Sequence, residues 1–282
     1  MMLLLRKMRL PRVSRRNRRH RHSTVAGQSD AARPMEEEKK LTVLSHLDEV
    51  RGRLFKSIIA VVICIIICFP LARYIYPILM TPLPGIELYY TEVTGLIGSY
   101  MKVSLYGGLV LAGPFLLYQS IMFIKPALSR REKGYLYMLL PGVLILFFGG
   151  VMFSYFVLLP PALNFLYYSF PSYVGGEIQP LWTVDNYVSI ITRLLFWIGV
   201  VFEIPILMFF LSKIGVISPG WIRRKWRYAV VIAFILGGII TPTFDPLNQT
   251  LVAGPIILLY GIGYLLAKLA RAGRKRAATE TA

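Results

Sequence analysis

The sequence predicts an all-α integral membrane protein with six transmembrane helices and both termini cytoplasmic, and three observations carry that prediction. First, 56% of its 282 residues are hydrophobic and the mean hydropathy is +0.59, too apolar for a soluble domain. Second, apolar stretches of helical length recur along the chain between short polar segments. Third, lysine and arginine crowd into alternate connecting segments and are missing from the others.

The net charge of +18 would by itself suit a nucleic-acid binder. Ten of the 32 basic residues, however, precede residue 35, and most of the rest flank apolar runs. That is the pattern of loops facing anionic lipid, so no nucleic-acid partner is expected and membrane lipid is. Cys64 and Cys68 lie four apart in one apolar run, without the partners a disulfide or metal site needs. There is no GxxxxGK[ST] phosphate loop and no internal repeat, so neither ATP-driven transport nor an inverted-repeat transporter is expected, and no cofactor.

Residues 1–40 read as a basic, disordered extension, because 1–34 lack the sustained apolar period of a core or spanning helix. MMLLL is too short for a signal-peptide core and SRRNRR has no apolar stretch after it, so no cleaved export signal is expected. Met35 is an alternative start. Residues 41–56 place Leu44, Leu47, Leu54 and Phe55 at three- and four-residue spacings, as in an amphipathic helix at the interface. Ser45 and Asp48 have capping-box spacing, and Thr42 is an equal candidate for the helix start.

The spans follow at 57–72, 99–121 and 135–159, the third stopping at Pro160 and Pro161. The fourth covers 187–211, and two short spans, 226–240 and 250–267, complete a membrane domain over 41–267. Residues 268–282 form a basic cytoplasmic tail. The segment before the first span is basic, as are Lys125, Arg130, Arg131 and Lys133 after the second and Lys213, Arg223, Arg224, Lys225 and Arg227 after the fourth. Residues 160–186 and 241–249 carry no Lys or Arg, which puts the termini inside and Tyr89, Tyr90, Tyr167, Tyr168, Tyr173 and Trp182 at the outer interface.

Acids are scarce, fourteen in all, so those near the membrane carry weight. Glu203, in VVFEIPILMFF, lies about 12 Å from the inner end of the fourth span, where an ionised carboxylate costs several kcal/mol unless paired, hydrated or protonated. It either serves function facing the bundle interior or bonds a neighbour for packing. Pro205 frees the carbonyl of Val201 and bends the helix beside it. Asp245, in TPTFDPLNQ, is either ordinary turn chemistry or an outer functional group. Glu49 and Glu132 each lie among basic residues at the cytoplasmic surface; they are either solvated ion pairs or two carboxylates able to take forked hydrogen bonds from guanidiniums. Gly108, Ala112, Gly149 and Gly150 suit close helix approach, and Lys102 and Arg193 are expected to snorkel outward.

Five segments in order, SHLDEVRGRL, FIKPALSRREKGYL, FGGVMFSYFVLLPPALNFL, FEIP and TPTFDPLNQ, resemble TatC, the polytopic receptor subunit of the twin-arginine protein translocase, over 41–267. The resemblance implies a glove-shaped six-helix bundle that binds the twin-arginine signal peptides of folded cargo at its cytoplasmic face. The family's recognition acids fall on Glu49 and Glu132, a recognition aromatic on Phe123, and an arginine beside the first acid on Arg51. Glu203 matches the family's intramembrane acid on the concave face, and Asp245 falls in the corresponding outer turn, where the surrounding residues differ. Also implied are single-span partner subunits of the TatA and TatB kind, a homo-oligomer within a hetero-complex, residence in the cell inner membrane, and energy from the proton motive force. The competing class is a proton- or ion-coupled small-solute transporter using Glu203. An enzyme is not expected, since His20, His22 and His46 all precede the first span and form no catalytic constellation.

Overall fold

The computed structural model describes residues 20–82, 85, 87–124, 130–169, 171–172, 181–241 and 245–280. Almost all of them are helical, and Tyr89 and Thr183 form an isolated β-bridge. The helices are α1 (His20–Met80), α2 (Val93–Ile124), α3 (Arg130–Phe153), α4 (Leu159–Asn164), α5 (Val184–Val201), α6 (Ile204–Ile214), α7 (Pro219–Arg224), α8 (Trp226–Ile240) and α9 (Pro246–Glu280). Among the described residues, five apolar helical segments are long enough to cross a membrane: Asp48–Met80, Thr94–Phe123, Leu139–Ser169, Val184–Ile214 and Pro246–Ala272. α8 is apolar but shorter, 15 residues or about 22 Å. The chain divides into two compact units, residues 1–54 and 55–282.

In the first unit, helix α1 begins at His20, so residues 20–40 are helical where disorder was expected. Three Ala, three Glu and two Lys in this stretch are good helix formers even without an apolar period, although Gly27 and Pro34 lie among them. Residues 1–19 lie outside the described residues.

In the second unit, α1 continues to Met80, eight residues past its predicted end. The carbonyls of its last turn, which a helix cannot satisfy internally, are taken by other elements. Tyr155 donates to Ile78 O at 2.6 Å, Tyr187 to Leu79 O at 3.1 Å and Thr81 to Pro77 O at 3.2 Å. Two phenols from distant helices thus fix where the first span ends. Its crossing with α2 is set by glycine: a Cβ on Gly108 would lie 2.7 Å from Ile65 Cα, so only Gly lets the backbones approach. Gly150 plays the same part against Phe202, whereas Gly149 faces open space and supports no packing.

The third span does not stop at the proline pair. A wide π-turn, Ser154–Leu158, precedes Pro160 and Pro161, and the helix continues through α4 and a second π-turn, Phe165–Ser169. Proline lacks an amide and clashes with the preceding turn; a locally wider turn absorbs both defects without ending the helix. α9 also exceeds its predicted bounds, with 27 residues in its apolar part, about 40 Å. Only one of the two C-terminal spans is therefore short. The polar residues at its ends, Asn248 and Lys268, hid the true length because a helix need not stop where apolarity does.

Helix α5 is the hub of the core. Tyr187, Val188, Ile191, Leu194 and Ile198 are fully buried against Ala72 and Leu79 of α1, Val103 of α2, Ala233 and Ile240 of α8, and Val252, Ala253 and Ile256 of α9. At the end of the bundle without Lys or Arg, two connecting segments are tied together. Tyr89 N donates to Trp182 O and Val184 N to Tyr89 O, both at 2.9 Å, and Trp182 packs edge-on against Tyr167 at 5.7 Å. The expected aromatic belt is thus partly a packed cluster; Tyr173 lies outside the described residues.

Candidate functional site

Three of the four residues expected at the basic end have described side chains. On α1, Glu49 accepts hydrogen bonds from Arg53, from Nη2 at 2.5 Å and from Nε at 3.2 Å. This pair, one helical turn apart, is partly exposed and easily rearranged. Arg51 is exposed. Phe123, at the carboxyl end of α2, leaves 41% of its surface open. Residues 125–129 lie outside the described residues, but α3 starts at Arg130, so Arg130 to Lys133 are helix rather than loop. Glu132 is the third residue of α3. Its side chain is outside what is described. Glu49 belongs to the first unit and Glu132 to the second.

Glu203 occupies a two-residue break, Phe202–Glu203, between α5 and α6. Pro205 causes the break: the Glu203 amide bonds Val200 O at 3.1 Å, a tightened turn, and regular helix resumes at Ile204. The bend is held from both sides by glycine contacts. A Cβ on Gly150 would meet Phe202 Cβ at 2.7 Å, and one on Gly263 of α9 would meet Pro205 Cα at 3.2 Å. Glu203 is only 2% exposed, and among the described residues neither carboxyl oxygen has a hydrogen-bond partner. α6 runs to Ile214, so the carboxyl lies about 16 Å from that end, deeper than the sequence suggested. An unsatisfied buried carboxyl is costly, which sets it apart from buried hydroxyls such as those of Ser104 and Thr192, which donate to their own helix backbone.

Asp245 has a local role. Its Oδ1 accepts from Asn248 N at 2.7 Å and its Oδ2 from Asn248 Nδ2 at 3.0 Å, capping the amino end of α9. Lys102 reaches an ion-pair partner in the first turn of α5. Its Nζ lies 2.7 Å from both oxygens of Asp185 and 2.9 Å from Ser189 Oγ, joining α2 to α5. This group escaped sequence reading because its members are 83 and 87 residues apart. The signal available was a lone Lys in one span and a lone Asp in the first turn of another entering from the same end. Among the described residues, no three His, Cys, Asp or Glu side chains converge as a metal site.

Comparison with known proteins agrees with this architecture. Residues 45–255 match the family model "Sec-independent protein translocase protein (TatC)". A TatC from Aquifex aeolicus is 39% identical over 240 residues, covering 83% of this chain and 98% of that protein. One from Synechocystis is 35% identical over 226 residues, covering 79% and 87%. The chloroplastic TATC of Oryza sativa is 36% identical over 235 residues, 83% of this chain, and the match spans 64% of that longer protein. A crystal structure of the twin-arginine translocase receptor TatC superposes with a TM-score of 0.72 at 40% identity, covering 80% of this chain and 99% of that one. With the family model matched over most of its length and the fold shared with the solved receptor, the chain belongs to the TatC family of Sec-independent protein translocases.

Proposed function

We propose that this protein is a receptor subunit of a twin-arginine translocase, binding the signal peptides of folded precursors at its basic end. The observation that carries the reading is the match to a solved twin-arginine translocase receptor over 99% of that chain. The basic end faces the cytoplasm of a cell inner membrane, with both termini there, because positively charged segments stay inside. Glu49 and Glu132 are the acceptors for the paired arginines. Two carboxylates discriminate Arg from Lys through planar, two-pronged bonding. The Arg53 guanidinium on Glu49 is a resident stand-in for the ligand; an incoming arginine with both prongs aligned displaces it at little cost, since a partly exposed pair is worth under about 1 kcal/mol. Phe123 and Arg51 also take part in recognition. Single-span partner subunits and further copies of this chain complete the transport complex, driven by the proton motive force.

Glu203 acts after docking. A carboxyl held buried at a helix break, with no hydrogen-bond partner among the described residues, is supplied with a polar partner when another membrane helix arrives, and the cost of leaving it unpaired favours that encounter. Photo-crosslinking of a twin-arginine peptide to membranes tests the assignment. Glu49→Ala and Glu132→Ala each weaken the crosslink, and the lysine-lysine peptide crosslinks poorly to the unmodified protein. Undiminished crosslinking in both variants would remove these acids from recognition.

A further inference from the structure

We propose that the elbow joining α7 to α8 is a binding site for the headgroup of an anionic phospholipid. Residues 215–240 carry four cations, Arg223, Arg224, Lys225 and Arg227, and no acid. All four are exposed, and among the described residues none is paired with a carboxylate. Lys225 is the N-cap of α8 and Arg227 lies in its first turn, so these charges stand at the positive end of the helix dipole. Arg223 and Arg224 lie in the last turn of α7 and Lys225 is its C-cap, where cations are favourable, so Arg227 is the charge set against a helix dipole, and an anion supplied from outside relieves it.

The elbow is a built feature rather than a mobile tail. Ser218 caps α7 by accepting from Trp221 N at 3.2 Å, and Pro219 opens the helix. Ile222 is buried among Met208 and Ala267, and its carbonyl accepts from the Tyr260 hydroxyl of α9 at 2.8 Å. The backbone that carries the cations is therefore held in place. Beside them Trp221 and Trp226 are 48% and 55% exposed, and Tyr228 lies beneath Lys225 Nζ at 4.7 Å. Exposed indoles next to cations suit the glycerol level of a bilayer, and a small soluble anion would make no use of them. Farther along α8, Val231, Ile232 and Ile235 are exposed, giving the acyl chains an apolar track below the headgroup. α8 is short for a spanning helix, so the lipid surface is drawn inward at its end, toward these charges.

The alternative is that the four cations only fix topology, with no lipid held in place. Native mass spectrometry of the full-length protein in nonionic detergent separates the two, titrating phosphatidylglycerol and phosphatidylcholine. Wild type retains phosphatidylglycerol in preference to phosphatidylcholine. Arg223→Gln/Arg224→Gln/Arg227→Gln lowers that affinity at least tenfold, given about fivefold per surface cation. The same substitutions to Lys preserve it, which also excludes misfolding as the cause. A tail variant losing as many charges, Lys268→Gln/Arg271→Gln/Lys275→Gln, changes it by less than about threefold, below the effect of one surface cation. Equal losses in the elbow and tail variants, or an elbow variant that keeps its lipid, would overturn the proposal. So would displacement of the lipid by millimolar inorganic phosphate, which would mark a soluble-anion site.

Discussion

Replacing Glu203 with Leu tests the most unusual feature of the core. The side chain is 2% exposed, and neither oxygen has a hydrogen-bond partner among the described residues. Each buried, unmade acceptor costs about 1–3 kcal/mol. Exchanging a buried ionic group for a well-packed apolar one of similar volume commonly adds about 1–4 kcal/mol of stability. Phe202 and Pro205, which hold the bend against Gly150 and Gly263, are untouched, so the backbone need not move. At about 2–4 °C per kcal/mol for a chain of this size, Glu203→Leu raises Tm by at least about 2 °C. Tryptophan fluorescence during thermal unfolding in detergent reads this directly. The same variant loses transport while still docking the peptide, the trade-off expected where function requires a destabilising group. A drop in Tm of several degrees would refute the reasoning, because it would mean that the carboxyl is satisfied and contributes to the fold.

Three further outcomes follow from particular contacts. Gly108→Ala forces a Cβ to within 2.7 Å of the Ile65 backbone and costs about 1–3 kcal/mol, while Gly149→Ala, facing open space, leaves Tm unchanged; thermal unfolding of both compares a tight crossing with an open surface. Lys102→Met and Asp185→Leu each destabilise by about 1 kcal/mol, and the double variant recovers part of the loss, as a double-mutant cycle on a half-exposed pair should record. Asp245→Ala costs about 1 kcal/mol through the lost α9 cap, whereas Asp245→Ser retains both stability and transport; a transport defect in the Ser variant with normal Tm would give Asp245 a role beyond the cap.

The residues that announced their places from sequence did so through local signals. The apolar runs depend on neighbours within a helical turn or two, so the apolar helices could be read directly. Pro205 likewise marked the break at Glu203, because proline's missing amide is a local defect. Pro160 and Pro161 misled for the same reason: their local meaning is a helix end, but the π-turn before them lets the helix pass. What ends α1 is only partly local. Thr81-Pro82 and Pro84-Gly85, just past Met80, are ordinary helix-stop residues, but two of its last carbonyls are taken by Tyr155 and Tyr187, 77 and 108 residues away, and no window around Met80 contains those partners. The Lys102–Asp185 pair was hidden likewise. For Glu203 the sequence indicated burial, and only the packed helices revealed that its oxygens lack partners.

Recognition of a paired-arginine ligand by Glu49 and Glu132 is most directly tested by equilibrium binding of a fluorescent signal peptide to the purified full-length protein. The measurement compares arginine-arginine with lysine-lysine peptides, on the wild type and on Glu49→Ala/Glu132→Ala. Charge-assisted hydrogen bonds worth about 1.5–3 kcal/mol predict a preference for the arginine peptide of about tenfold to a hundredfold in the wild type. In the double variant that preference collapses toward unity. A double variant that still prefers the arginine peptide by the full wild-type factor would contradict the account.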